Sequence, residues 1–415
     1  MKEDVNLKKK YVLSIDNSFT FGGAIISLSH LAKSIDKNKF PLVIVSGQSE
    51  DYLEKSFPDC IRYHYKPKLA WINNNIYLKI SNFFLFKNLF AKKALSILRL
   101  FYWLFFINIP QGFKYYKIGR RHNVKLVHLN NGIFIEGILA AKLLRVPCVS
   151  HTRSICPPLK FADRLVAKLV DHYIAISESV RKSILQTGIS NNCITLIHNA
   201  IDTDEFNIDI DISYLSEEFN IKPGQPRYGI FGRVIPWKGT KEFILAAKEI
   251  NLAFPESKAF IVGDISDGDM VFFRELQSLI GKSKLKNSVI FTGYRKDIPA
   301  LMAFMDIIVL ASNVPEPFGR VVIEGMATGK PVVATKGGGP LDIVEDGNTG
   351  YLVSMGNSVE LGEAIIKLLN NVELCKEFGS RGRKRVELMF DNKKYAEKIE
   401  KIFVRLTNID GEKVE

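Results

Sequence analysis

Short runs rich in β-branched and aromatic residues alternate with helix-length segments along almost all of this 415-residue chain. Such alternation folds as parallel sheets covered by helices, because a parallel connection has to cross back over the sheet. In the first half the runs predict strands at 11–15, 41–46, 60–65, 125–129, 147–151, 172–177 and 194–198. In the second half they predict strands at 228–232, 258–263, 288–293, 306–312 and 331–335. A polar stretch at 207–227, carrying Pro223, Gly224 and Pro226, reads as an interdomain linker. The expected organisation is an N-terminal domain over 1–206, a C-terminal domain over 228–390, and a helix in 391–415 that crosses back to the first domain. Both domains are expected to be doubly wound α/β layers facing each other across a cleft. Ligands in such sheets sit at the carboxyl ends of the strands, so the cleft is the expected site.

With 47% hydrophobic and 24% charged residues, the composition is that of a folded domain protein and excludes a disordered or collagen-like chain. The net charge of +13 is unevenly placed: residues 1–200 carry +17 and the remainder −4. No acidic residue occurs between Asp59 and Glu136, an interval holding 13 Lys and Arg. The two halves are therefore expected to bind different things, the first of them something anionic: a membrane surface, a phosphorylated acceptor or nucleic acid. The five cysteines form no CxxC pair, which fits a reducing compartment and argues against structural zinc. Only a five-residue apolar run, 11–15, precedes Asp16, too short for a signal-peptide core. The most apolar of the long uncharged runs, 100–113, has 14 residues and includes Pro110, whereas a spanning helix needs about 20. The expected location is cytoplasmic, with peripheral attachment to the inner face of the membrane as its extension.

Chemistry concentrates in PEPFGRVVIEGMATGKPVVATKGGGP (315–340). A helix starting near Gly319 directs free N–H groups and its positive dipole end into the cleft, where they can hold an anion. Glu324 then lies about one and a half turns in, at about 3.6 residues per turn, where its carboxylate can accept hydrogen bonds from ribose hydroxyls. Glu316, before the helix, can reach the reacting part of a ligand. The alternative is two solvated glutamates around a helix start, which leaves the neighbouring glycines unexplained. In FGRVIPWKGTKEFILAA (231–247), Arg233 follows a strand and Lys238 stands at the next helix start. Two fixed cations beside helix N–H groups clamp a diphosphate without a metal, although a basic pair in a loop is often only a solvated face. Neither half has GxGxxG after its first strand. Gly22-Gly23 is either a tight strand-to-helix turn or a place where backbone approaches a phosphate or sugar. His151 ends a predicted strand, and Asn199 ends another; Asp202 is expected to cap a turn. The Asp-x-Asp triplets at 209–211 and 267–269 fall in the linker and in a Gly/Asp-rich loop, so no obligatory divalent ion is expected.

The Gly-rich first loop, VSHTR, IAISESV, LIHNAIDTDEF, FGRVIPWKGTKEFILAA, IVGD, VIFTGYRKDI, DIIVLAS and PEPFGRVVIEGMATGKPVVAT occur in the order seen in glycosyltransferase family 4. The chain resembles that family over roughly 12–390, most specifically from 228 to 353. The resemblance implies a GT-B fold of two Rossmann-like domains and a retaining transfer of a hexosyl-type sugar from a nucleoside-diphosphate sugar. It implies further that Arg233 and Lys238 neutralise the donor diphosphate, that Glu324 binds the ribose, and that Glu316 lies near the transferred sugar. Gly23 and the backbones of Phe318 and Gly319 would contact donor groups, and His151 the donor sugar. The nucleotide sugar is a co-substrate, and no cofactor or metal is implied. One departure is visible: the family usually has a glutamate shortly after its GGGP-like run, where this chain has Leu341-Asp342. Relatives on the same fold include nucleotide-sugar epimerases and phosphorylases, and a silent nucleotide-sugar-binding protein is the non-enzyme alternative.

Residues 75–107 interleave Phe, Trp and Leu with Lys79, Lys87, Lys92, Lys93 and Arg99. A basic amphipathic helix of this kind lies in an anionic membrane interface; the plainer reading makes its aromatics the face packed on the first sheet. No RNP-like, zinc-finger or helix-turn-helix signature accompanies it, so nucleic acid is not an expected partner. The expected acceptor is a membrane-associated or lipid-linked glycan.

Overall fold

The computed structural model describes residues 10–17, 22–65, 98, 101–159 and 161–407. Every strand expected above forms. The first sheet contains β1 (Tyr11–Asp16), β2 (Leu42–Ser46), β3 (Ile61–His64), β4 (Val124–Asn130), β5 (Cys148–Thr152), β6 (His172–Ala175) and β7 (Ile194–Leu196). Its order is β3-β2-β1-β4-β5-β6-β7, parallel throughout. The second sheet contains β8 (Arg227–Phe231), β9 (Lys258–Val262), β10 (Val289–Gly293), β11 (Ile307–Leu310), β12 (Val332–Thr335) and β13 (Gly350–Val353). Its order is β10-β9-β8-β11-β12-β13, again parallel. Parallel strands are covered on both faces and so read as unbroken apolar runs. Val12, Leu13, Val43, Ile44 and Val45 in the first sheet, and Ile307, Ile308 and Val309 in the second, are accordingly buried. β13 was not expected; only its last residue, Val353, is β-branched.

In each sheet the strand order reverses beside the first strand, between β1 and β4 and between β8 and β11. At such a switch point the two flanking connections leave in opposite directions and open a crevice at the strand ends.

The chain divides into two compact units. The first comprises residues up to Ala175, Val180–Ile197 and the chain from Ala396; the second comprises Ile176–Ser179 and His198–Tyr395. The division thus falls at 197/198 rather than at 206. Residues 198–206 belong with the second unit because Ile201 N–H donates to Phe390 O at 2.9 Å, and Arg383 Nη1 to Phe206 O at 2.7 Å. The 207–227 stretch is likewise no bare linker. It forms the helix Ser213–Glu218, with Leu215 fully buried and Tyr214 Oη donating to Asp297 Oδ2 at 2.7 Å. From Ala396 the C-terminal helix Asn392–Thr407 packs on the first unit. There Asp36 N–H donates to Glu400 Oε1 at 2.8 Å, and the Phe403 ring lies 5.7 Å from Phe40 and 5.9 Å from His128.

Of the basic segment 75–107, Leu98 and residues 101–107 are described, and the rest lies outside the described residues. Among the described residues no helix is long and apolar enough to cross a membrane.

Candidate active site

The second unit gathers its site at the ends of β8 and β11. After β8, Gly232 and Arg233 lead through the single turn Pro236–Lys238 to Gly239, which opens the helix Thr240–Ala253. Gly239 has φ +76°, and a Cβ there would stand 1.8 Å from Ala311 O. Only glycine lets this helix start seat directly on the end of β11. That approach brings Lys238 to Glu316. The ammonium lies 2.5 Å from Glu316 Oε1 and 4.3 Å from the centre of the Trp237 ring, and Ser312 Oγ donates to the same carboxylate oxygen at 2.7 Å. Glu316 is 5% exposed, so its charge is held by these two donors rather than by water.

The backbone of Glu316 is fixed by the glycine run after β12. Its N–H donates to Gly337 O at 3.3 Å, and its carbonyl accepts from Gly339 N–H at 2.8 Å. Gly338, at φ +78°, would place a Cβ 1.8 Å from Glu316 O. The run is therefore a cradle for the Glu316 backbone, a role sequence reading did not give it. Next, Gly319 at φ +94° opens the helix Arg320–Ala327. Phe318 points into the core, with ring centres 6.1 Å from both His198 and Phe390, which leaves its backbone as the part able to meet a ligand.

Glu324 is engaged one turn into this helix: Arg320 Nη2 lies 3.1 Å from its Oε1. Among the described residues Oε2 has no donor, so the carboxylate keeps acceptor capacity. Arg320 escaped the sequence reading, although its spacing of four from Glu324 places both on one helix face. Arg233, by contrast, is exposed, and its guanidinium makes no ion pair among the described residues. Asp342 accepts from the Glu178 N–H at 2.6 Å and lies 4.0 Å from His198 Nδ1, contacts that hold the fold together. Asn199 is buried, and Asp202 Oδ1 accepts from Asp204 N–H and Glu205 N–H within its turn. Asp211 lies just ahead of the Ser213 helix and accepts from Ser213 N–H at 2.9 Å, and Asp267-Gly-Asp269 is a short surface turn.

In the first unit the ends of β1, β4 and β5 carry a buried polar network. Arg153 Nε donates to Asn130 Oδ1 at 2.8 Å, and Asn130 Nδ2 donates to Asp16 Oδ1 at 2.8 Å and to Ala24 O at 3.1 Å. Ser46 Oγ donates to Asp16 Oδ2 at 3.3 Å. His151 belongs to this interior, one residue before the end of β5, and has no exposed surface. Its Nδ1 lies 3.3 Å from both Arg153 Nη2 and His128 Nε2, and His128 Nδ1 lies 3.1 Å from Ser14 Oγ. Arg153 can only donate, so His151 Nδ1 accepts; His128 then donates through Nε2 and accepts from Ser14. Burial, reinforced by the Arg153 charge, lowers the pKa of both rings, His128 to about 3. Both imidazoles are neutral at pH 7. Arg153, two residues beyond the histidine in the same VSHTR motif, stands past the end of β5 and is itself buried.

Gly23 is exposed at the first position of the helix Gly23–Ser34. Gly22 before it has extended backbone, and a Cβ there would meet nothing within 4 Å. Beside it, Asn17 Nδ2 donates to Glu136 Oε1 at 2.5 Å, and burial raises the pKa of this carboxyl. Sequence reading passed over Glu136, which is sequentially remote from Asn17.

The model for glycosyltransferase family 4 matches residues 21–205, and the model for glycosyl transferases group 1 matches residues 211–385. The chain is a glycosyltransferase, with a family 4 domain followed by a group 1 domain. This glycosyltransferase is 24% identical over 298 residues to the N-acetyl-alpha-D-glucosaminyl L-malate synthase of Bacillus anthracis, covering 69% of this chain and 76% of that one. It is also 24% identical over 306 residues to the Escherichia coli UDP-Gal:alpha-D-GlcNAc-diphosphoundecaprenol alpha-1,3-galactosyltransferase, covering 70% and 77%. Among solved structures, Anabaena HepE in complex with UDP and glucose superimposes with a TM-score of 0.77 at 25% identity, over 96% of this chain and 100% of that one. The fold of the glycosyltransferase is GT-B, two parallel-sheet, Rossmann-like units.

Proposed function

We propose that the enzyme is a retaining glycosyltransferase that moves a hexosyl unit from a UDP-sugar to a glycan or lipid-linked acceptor in cell-surface polysaccharide or glycolipid synthesis. The observation that carries the donor half is the buried Lys238–Glu316–Ser312 cluster at the β8/β11 switch point, with Arg233, which makes no ion pair among the described residues, just after β8. A diphosphate arriving here meets Arg233 and the N–H groups opening the helix Arg320–Ala327. Lys238 then exchanges a carboxylate for phosphate oxygens, which frees Glu316 for the sugar hydroxyls. Glu324 takes the ribose through its open oxygen. The UDP assignment and the acceptor class draw on the printed ligands and names of HepE and the E. coli galactosyltransferase.

In the transfer, the bond from the anomeric carbon to the diphosphate breaks and a bond to the acceptor oxygen forms on the same face. The acceptor proton passes to the departing phosphate oxygen. Arg233, Lys238 and the helix N–H groups contribute most as negative charge develops there, because they are already oriented. They supply the positive charge a divalent ion would otherwise bring, so the reaction needs no metal. In the first unit, the exposed Gly23 at the start of its helix is a place where an acceptor or sugar can approach the backbone.

Thermal shift with UDP-, GDP-, ADP- and TDP-sugars in the presence of EDTA tests the reading. A rise in Tm with UDP-sugars, lost in Lys238→Met, is expected, since a ligand at about 100 times its Kd adds about 2.7 kcal/mol. Response to none of the four, or only after a divalent ion is restored, overturns it.

A further inference from the structure

The helical stretch 101–121 shows two opposite faces. Ile107, Gln111, Gly112, Tyr115 and Gly119 are buried. The glycines let this stretch lie tightly on the helix Ile135–Leu144: a Cβ at Gly112 would come 2.7 Å from Leu139 Cδ2, and one at Gly119 would come 2.4 Å from Leu144 Cδ1. Its packing side is thus already occupied. Along the other side Phe106, Pro110, Phe113, Lys117 and Arg120 recur at alternating spacings of four and three, and all are exposed. Phe101 and Phe105 stand beside this stripe, 54% and 55% exposed, and Phe106 is 68% exposed. A π-helical stretch, Trp103–Asn108, carries Phe105 and Phe106, which stack on the two rings just before it: Phe105 on Phe101 at 6.1 Å and Phe106 on Tyr102 at 5.2 Å. The reading of the aromatics as a face packed on the sheet therefore fails for Phe101, Phe105 and Phe106.

We propose that this stripe is a docking face for an anionic lipid bilayer, with the phenylalanines entering the interface and Lys117, Arg120 and Arg121 lying on lipid phosphates. The division of the stripe argues for that occupant. Its amino-terminal half is aromatic and apolar, and its carboxyl-terminal half is cationic. No acid interrupts the sequence from 60 to 135. An acyl region beneath a negatively charged headgroup layer satisfies both halves at once. A second copy of the chain would set like charges against one another, and it offers no acidic counterpart in this interval. The face is rigidly borne, because Gly112 and Gly119 fix the stretch against its neighbour. The proposal is independent of which sugar or nucleotide the enzyme uses.

Co-sedimentation of the full chain with vesicles of phosphatidylcholine, alone or mixed with phosphatidylglycerol, tests it. Binding only to the mixed vesicles, weakening with salt, is expected. Each cation near such a surface contributes about fivefold to partitioning, so Lys117→Gln/Arg120→Gln/Arg121→Gln should bind about a hundredfold more weakly. Phe105→Ser/Phe106→Ser should lose about tenfold or more from lost apolar burial. Both variants should keep the wild-type thermal response to UDP-sugar. If the phenylalanine variant proves unstable, the cation variant decides alone. Absent binding, equal binding to both vesicle types, or binding unchanged in the cation variant overturns the proposal. So does a dimer in sedimentation velocity that the phenylalanine variant dissociates, which would make the face a contact between copies.

Discussion

Lys238 and Glu316 depend on each other unequally. The Glu316 side chain is 7% exposed and that of Lys238 22%. Without the ammonium, the carboxylate keeps only the Ser312 hydroxyl in a place water scarcely reaches. Without the carboxylate charge, the ammonium still has solvent and the Trp237 ring. Lys238→Met should therefore destabilise by about 3 kcal/mol, the lower end for breaking a buried pair, and Glu316→Gln by about 1 kcal/mol, as for a weakened hydrogen bond. Thermal unfolding of the two variants checks the order; equal losses would mean Glu316 is hydrated. Both residues could be picked from their local motifs, because glycines and a helix start surround each of them. Their pairing could not, since they stand 78 positions apart. His151 shows the same limit. A one-dimensional pattern places it near a strand end, but its depth is decided by His128 on the adjacent strand and by the Arg153 side chain folding back onto it.

The glycine run after β12 acts on the element before it rather than on its own helix. Gly338→Ala puts a methyl group into the Glu316 carbonyl at a backbone angle side chains rarely adopt. The 315–319 segment must move, carrying Glu316 away from Lys238. Gly338→Ala should reduce transfer by about a hundredfold or more, as displacements near 1 Å do in positioned sites, while donor binding through Arg233 persists. A variant with unchanged turnover would show that the cradle tolerates the shift. Most strands could be read from sequence because both faces of a parallel sheet are covered, so burial writes itself as an unbroken branched run. β13 lacked that signature: Tyr351 and Leu352 are half-buried. No sequence rule distinguishes a glycine that frees a turn, as at Gly319, from one that admits a neighbouring carbonyl, as at Gly338.

The charge asymmetry, visible at once in the sequence, matches an arrangement in which the near-neutral unit handles its anion with a few placed groups. The boundary between the units was misread because polarity at 207–227 resembles a linker, whereas Leu215 and Tyr214 bind that stretch to the second unit. The first unit is assembled from three separate pieces of chain, the last beginning at Ala396. Ending the chain at Tyr395 should therefore expose the first unit to protease while leaving the second unit resistant and responsive to UDP-sugar. Equal resistance of both units would show that Glu400 and Phe403 are dispensable.

The same discontinuity sets a timetable during synthesis. All seven strands of the first sheet have left the ribosome by Leu196, yet the helix that covers Phe40 and His128 comes roughly 200 residues later, about 10–40 s at usual elongation rates. The second unit itself runs to Tyr395, so the half made first is also the half finished last. Until that helix is made, the apolar surface around Phe40 and His128 lacks its cover.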